Sequence, residues 1–528
     1  MSGVSPSSGS ADQVAQVSEF LRNPSSYPDR PRHVEVRETH ISRVFLTDKY
    51  AYKLKKPVTL DFLDFSTMEL RKLACEEELR LNRRLAPSTY LEVVPVTIDA
   101  QGQFELSGPG KAVDWVVKMH RLNDAHSLDT LIRTNAVSAE SVDSIARRLA
   151  RFYRELPPVS VTPDEYRLRF DAHLRANRQT LLDAPGDSFS SLVVKHVHTA
   201  QLRYLHVFHQ EFERRVHEGR IVEGHGDLRP EHIYLNPDPL LIDCIEFAAE
   251  FRQLDVIDEL SFLAVECKHR GAAWIGDRIV EHYLEASGDR PPSTLQAFYA
   301  CYRACVRAKV HLLRGSQLPK PDRSPSIAEA KQYLEMAEGT ARELGPPSVL
   351  IVRGAAGVGK TTLAQKLTDL LCTEYLQTDA LRRELFGKSG EPVGHNKGQY
   401  TAENRNRVYE LMFERAEQLI SDGLSVVLDG TFLTNCVQAA AVEMANRQGA
   451  RPFLVNCTCP PEVAATRISG RLRVGGSLSE AQTTTHMQHR AEEELPRPEW
   501  PQCVVDTSTA EPLMIQTTLD GMRAQMSG

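Results

Sequence analysis

An apolar run, VLIVR, leads into GAAGVGKTT and then into the helical text LAQKL, all within residues 349–367. No other stretch limits the fold as strongly. The spacing G-x-x-x-x-G-K-T between a strand and a helix makes a loop whose backbone N–H groups face a phosphate chain. Gly354, Gly357 and Gly359 let the backbone turn, and the dipole of the following helix adds to the attraction. The pattern assigns Gly354, Ala355, Ala356, Gly357, Val358, Gly359, Lys360, Thr361 and Thr362 to nucleotide binding. Lys360 reaches for the β- and γ-phosphates, and the Thr361 hydroxyl is a Mg²⁺ ligand.

The text after residue 348 alternates strands with helices: VLIVR, EYLQT, SVVLDG, PFLVNC and CVVDT are separated by helical stretches. That alternation predicts βαβ units and a parallel sheet. Asp379 ends the second strand in LQTDALRREL, and Arg382 follows three residues later on one helical face. Asp429 ends the strand SVVLDG. Arg467, Arg471 and Arg473 cluster in TRISGRLRVGG. Phosphoryl transfer needs positive charge around the equatorial oxygens and a base for the acceptor hydroxyl. The cluster supplies the first and Asp379 the second, unless they are a solvated helix face and a helix cap.

Taken together, VRGAAGVGKTTLA, LQTDALRRELFG, VVLDGTF and the arginine cluster resemble the small P-loop kinases, in the branch with zeta toxins, chloramphenicol phosphotransferase and polynucleotide-end kinases. The likeness covers residues 346–527. It implies Asp379 as acceptor-side base with Arg382 on the substrate, Asp429 near Mg²⁺, and Arg471 or Arg473 as a lid. One departure is TNCVQAAA after the TF turn, where an arginine is expected.

The chain has 528 residues, a formal net charge of −7, 41% hydrophobic and 25% charged residues, an ordinary globular composition. The modest acidity argues against a long nucleic acid as partner. Ten scattered cysteines without a CxxC pair point to reduced thiols in a cytoplasm. Cys457 and Cys459 close an apolar run and read as a buried strand. No stretch approaches the ~20 apolar residues of a membrane span. Residues 1–30, opening MSGVSPSSGS, are expected to form a poorly ordered leader.

Residues 33–119 alternate strand-like runs (HVEVRET, SRVFLT, YAYKLK, LEVVPV, DWVVKM) with one helical stretch at residues 67–85. Residues 122–343 are mostly helical, and SQLPKPDRSP at residues 316–325 reads as a loop. LGPPS then marks a boundary, giving expected domains 31–344, with its N-lobe ending near residue 119, and 345–528. Within the first, GHGDLRPEHIYL places Asp227 as catalytic base, braced by His225. Asp243 follows PLLI at a strand end and suits metal. Lys53 in YAYKLK suits the phosphates, although Lys55 and Lys56 follow closely. Glu78 falls on the stripe Leu70, Ala74, Leu81, Leu85 and so faces inward, where Lys53 is a partner. Glu77 is the second choice.

YAYKLKKPV, CEEELRLNRRLAPSTYLEVVPV, HGDLRPEH and IDCIEFAAEFRQLDVIDELSFL are similar to aminoglycoside phosphotransferases and choline-kinase-like proteins. The resemblance implies a two-lobed protein-kinase-like domain, so the whole chain is expected to be multidomain, α+β and then α/β, like bacterial fusions of two kinases. His232 stands in the slot where these families hold metal with Asn. Nitrogen suits Mn²⁺ better than Mg²⁺, so altered metal use is one expectation and an imidazole that only packs is the other. The expected function is a bifunctional ATP-dependent phosphotransferase acting on small hydroxylated acceptors. Its rivals are a P-loop kinase with a nucleotide-binding regulatory first domain, and an ATPase switch.

Overall fold

The computed structural model describes residues 8–60, 63–184, 189–235, 237–387, 398–474 and 483–526. The chain divides into two compact units, Met1–Val161 with Arg215–Pro292, and Thr162–Arg214 with Ser293–Gly528.

The first unit is built on a six-stranded antiparallel sheet. Its order is Glu35–Glu38, Ser42–Leu46, Tyr50–Lys55, Lys111–His120, Tyr90–Ile98, Phe104–Leu106. Strand alternation sorts the side chains of Tyr50–Lys55 between two faces. Tyr52 and Leu54 join one apolar cluster, with Phe45, Val94 and Val116. Ala51, Lys53 and Lys55 share the opposite parity, and Ala51 packs with Cys75 of the helix Met68–Asn82. Thr67 caps that helix by accepting from the Leu70 N–H, and the face it buries includes Arg71, Ala74, Cys75, Glu78, Leu81 and Asn82.

The expectation of a disordered leader over residues 1–30 is corrected from residue 8 onward. Ser8–Arg22 is a helix, and its Val14, Val17 and Leu21 are buried against the sheet with Tyr27. Those apolar residues recur at helical spacing, a signal that the polar opening residues masked.

The second unit contains a five-stranded parallel sheet in the order Glu374–Gln377, Val426–Asp429, Ser348–Arg353, Arg451–Thr458, Gln502–Asp506. The central strand Ser348–Arg353 is buried along its whole length, as a parallel strand covered on both faces must be. Cys457 lies in the neighbouring strand and is buried.

The boundary expected at residues 344–345 is also displaced. Val207, on the helix Ser191–Val207, is in one core with Leu350, Leu363, Leu367 and Val427. Arg203 of the same helix donates to the carbonyls of Leu344 and Gly345 at 3.0 and 2.7 Å. Those carbonyls belong to the turn that reads as a linker, so the Gly-Pro break is a fastened corner inside a unit. Residues 316–325 are likewise mostly helical. Ser293–Gln317 and Lys320–Ala341 leave only two residues between them, and Pro321 sits in the first turn, where no backbone N–H is needed. Among the described residues no helix is long and apolar enough to cross a membrane.

Candidate functional site

In the first unit, Lys53 Nζ lies 2.8 Å from Glu78 Oε1 and 2.5 Å from Asp243 Oδ1. The structure thus brings together three residues separated by up to 190 positions. Glu77 goes elsewhere, to Arg80 and Arg252. Lys56 pairs with Glu38. Lys55, which sequence leaves as a competitor of Lys53, is a second member of the cluster and pairs with both Glu78 and Glu246. Two lysines and three carboxylates therefore meet, an excess of one negative charge before any metal arrives.

The electrostatics follow from that count. Burial works against both ammonium groups, yet Asp243 and Glu78 hold Lys53 well above the ordinary lysine range. Lys55 is also raised, by Glu246 and Glu78 acting against burial. Burial opposes ionisation of Asp243, but Lys53 holds its carboxyl far below the usual carboxylate range. Glu78 is lowered in the same way, whereas burial pushes Glu246 up. Glu246 is the carboxylate that takes the surplus charge.

Asp243 has a left-handed backbone, φ 67°, uncommon outside glycine. Two partners missed by sequence reasoning hold it there. The Asp243 N–H donates to the Tyr90 hydroxyl at 3.2 Å, and the Cys244 N–H donates to Asn82 Oδ1 at 3.0 Å. Asn82 falls four residues after Glu78 on the same buried helical stripe, which was the available signal.

The loop carrying Asp227 is fixed from beneath by Glu259, also missed. Its carboxylate accepts the N–H groups of His225 and Gly226 and the Tyr153 hydroxyl. His225 is buried, with Nε2 2.8 Å from the Ile242 carbonyl oxygen. Asp227 itself is ion-paired, with Arg229 Nη2 at 2.9 Å from Oδ2. His232 Nδ1 donates to the Asp227 carbonyl at 2.9 Å, which leaves the neutral ring's lone pair on Nε2. That Nε2 stands 3.6 Å from Asp243 Oδ2 and 3.3 Å from Arg229 Nη2. Among the described residues no group of three or more His, Cys, Asp or Glu side chains is arranged to hold a metal. Asp243 and His232 form only a pair, and a nucleotide's own oxygens would have to complete a metal's shell.

In the second unit the loop has the geometry its glycines predict. Gly354, Gly357 and Gly359 have φ of 136°, 86° and 94°. A Cβ on Gly354 would stand 2.5 Å from the Cys457 carbonyl oxygen, and one on Gly357 2.8 Å from Ile468. Ala355, Ala356 and Val358 are buried around the turn. The helix Lys360–Leu371, which carries Thr362, starts at the loop's end. Lys360 Nζ donates to the Ala355 carbonyl at 2.8 Å.

Thr361 Oγ1 donates to Asp429 Oδ2 at 2.7 Å, and Tyr375 and Gln377 donate to the same oxygen at 2.7 and 3.1 Å. A hydroxyl and a carboxylate are the hard oxygen donors that Mg²⁺ takes, so the residues fit that ion. Burial pushes the Asp429 carboxyl up, against the pull of Lys360. Asp379 lies close enough for its charge to act on both Tyr375 and Asp429. It is ion-paired with Arg382, whose guanidinium sits 4.6 Å over the Tyr400 ring. Of the arginine cluster, Arg467 donates to Thr507 Oγ1 and to the Thr507 carbonyl, beside Gly359. The side chains of Arg471 and Arg473 lie outside the described residues.

Comparison with known proteins adds the family. The protein-family model described as an AAA domain matches residues 349–496. Uncharacterized protein Rv2004c of Mycobacterium tuberculosis is 32% identical over 497 residues, covering 88% of this chain and 93% of that protein. Uncharacterized protein Mb2027c of Mycobacterium bovis matches to the same extent. Among solved structures, a mutant aminoglycoside 2'-phosphotransferase-IIIa in its GDP complex is 13% identical, covers 61% of this chain and 97% of that one, and has a TM-score of 0.36. A choline/ethanolamine kinase family protein from Mesorhizobium loti covers 62% and 99% at 11% identity and a TM-score of 0.37. A sugar kinase from Janibacter sp. HTCC2649 covers 34% and 98% at 22% identity and a TM-score of 0.27. The identity and coverage shared with the mycobacterial proteins show that this chain belongs to their family.

Proposed function

We propose that the protein is an ATP-dependent phosphotransferase with two nucleotide sites, acting on small hydroxylated acceptors. One observation carries this reading: each unit, within itself, joins a site of lysine and carboxylate, Lys53 with Glu78 and Asp243 in one, and Lys360 with Thr361 and Asp429 in the other. Bound ATP with its metal supplies the phosphoryl group and part of the charge that neutralises it.

In the second unit, the loop amides and Lys360 orient the phosphates, and Thr361 and Asp429 hold the Mg²⁺ position. Asp379 accepts the proton of the acceptor hydroxyl, and Arg382 keeps its carboxylate aimed. Arg471 and Arg473, on the helix Pro461–Val474, are the cations assigned to the transferring group. An ATPase switch would need neither Asp379 nor Arg382.

In the first unit, Lys53 holds the phosphates, Glu78 holds Lys53, Asp243 and His232 take the metal, with Mn²⁺ admitted beside Mg²⁺, and Asp227 is the base. The ion pair between Arg229 and Asp227 favours a second reading of this unit alone, as a nucleotide site with slow transfer. Arg229 Nη2, 2.9 Å from Asp227 Oδ2, occupies an oxygen that would take the acceptor's proton, and it also stands 3.3 Å from His232 Nε2, the nitrogen meant for the metal.

The test is a library of small hydroxylated metabolites, incubated with labelled ATP and full-length protein, Lys360→Ala or Asp243→Ala. Transfer lost from one variant and retained by the other assigns each acceptor to a site. Transfer to no acceptor by any of the three would contradict the reading.

A further inference from the structure

The helix Thr483–Glu492 delivers two imidazoles to the phosphate-binding loop. His486 Nδ1 donates to the Ala356 carbonyl at 2.7 Å, and the Ala356 N–H donates to His489 Nδ1 at 3.3 Å. Three residues apart on one helix, they share a face. Together they occupy both backbone polar groups of a single loop residue. The preceding carbonyl, Ala355, takes the Lys360 ammonium. Three side chains therefore hold consecutive peptide groups at the point where the loop turns into Gly357, whose φ is positive.

The chemistry of the two rings is opposite. Neutral His486 carries its proton on Nδ1 and neutral His489 on Nε2. His486 is 5% exposed, and its buried Nε2 has no hydrogen-bond partner among the described residues. An unsatisfied buried nitrogen is costly, so a helix that only needed to pack here would do better with an apolar residue.

We propose that His486 and His489 are positioning residues of the phosphate loop. They fix the Ala355–Gly357 backbone in the shape that receives the terminal phosphates, and thereby set affinity for nucleoside triphosphate at the second site. The inference rests on the reading that this loop takes ATP.

The experiment follows amide hydrogen exchange over residues 349–366 of the full-length chain during titration with ATP and with ADP, a readout local to the loop. His486→Ala and His489→Ala each raise the ATP concentration needed for half protection by roughly three- to tenfold, the worth of one hydrogen bond. Asn variants bind as the wild type does, because the Asn carboxamide reaches the Nδ1 position and offers a donor or an acceptor. Gln variants, whose amide reaches past it, behave as the Ala variants do. Wild-type ATP dependence in both Ala variants, with Lys360→Ala impaired, would overturn the proposal, as would Asn variants as weak as the Ala ones. Unchanged protection in Lys360→Ala would instead bring down the nucleotide reading beneath it.

Discussion

Replacing Glu78 and replacing Glu246 by Gln should have unequal consequences, because the two carboxylates stand differently in the lysine cluster. Glu78 bonds to both lysines, and its side chain and that of Lys55 are fully buried. Glu78→Gln leaves Lys53 with Asp243, which is 42% exposed, and Lys55 with Glu246. Removing one partner of a buried ion pair costs about 3–5 kcal/mol, and that is the expected loss. Glu246 bonds only to Lys55, which keeps Glu78 as a partner, so Glu246→Gln loses one bond where Glu78→Gln loses two and should cost about 1 kcal/mol.

The pH dependences have opposite signs. The lowered Glu78 contributes stability that is present above its unfolded pKa of about 4.3 and lost as pH falls through its folded value. The raised Glu246 contributes stability that is present below about 4.3 and lost as pH rises through its folded value. Glu246→Gln should therefore gain on the wild type as pH rises. Urea titrations at pH 3, pH 5 and pH 8, read as the shift in midpoint multiplied by the slope, measure both effects, the Glu78 loss between pH 5 and pH 3 and the Glu246 gain between pH 5 and pH 8. Equal costs for the two variants at pH 8 would refute the charge accounting.

Asp379→Asn should slow transfer by about 10²- to 10⁴-fold while ATP affinity stays near wild type, since a base acts in the transition state; equal losses in both, by single-turnover assay and titration, would make Asp379 a structural cap. His232→Asn should lower the ratio of Mn²⁺- to Mg²⁺-supported activity of the first unit, because a nitrogen donor suits Mn²⁺ better than Mg²⁺. A ratio unchanged at pH 6 and pH 8 would mean that His232 never binds metal.

What sequence made legible was set by periodicity and by motif. Strand alternation and the helical stripe put Lys53 and Glu78 face to face, and the glycine pattern located the turn between strand and helix, with positive φ at Gly354, Gly357 and Gly359. The same alternation put Lys55 on the face of Lys53, but two lysines of one parity cannot be ranked until their partners are known. Glu259 and Glu246 were invisible because the first acts on backbone 33 and 34 residues away and the second on a buried lysine 191 residues away, with no local pattern. The domain boundary was misplaced because a Gly-Pro turn looks the same as a free linker or as a corner held by Arg203. The leader was misread because its opening MSGVSPSSGS has no apolar run, while Val14, Val17 and Leu21 further on are buried against the sheet.

The central claim is two nucleotide sites on one chain, and calorimetric titration of ATP with Mg²⁺ into the full-length protein tests it most directly. The account predicts two sites per chain in the wild type, one in Lys360→Ala, one in Asp243→Ala, and none in the double variant. A single site in the wild type that survives either substitution, or one that both substitutions abolish, would contradict it.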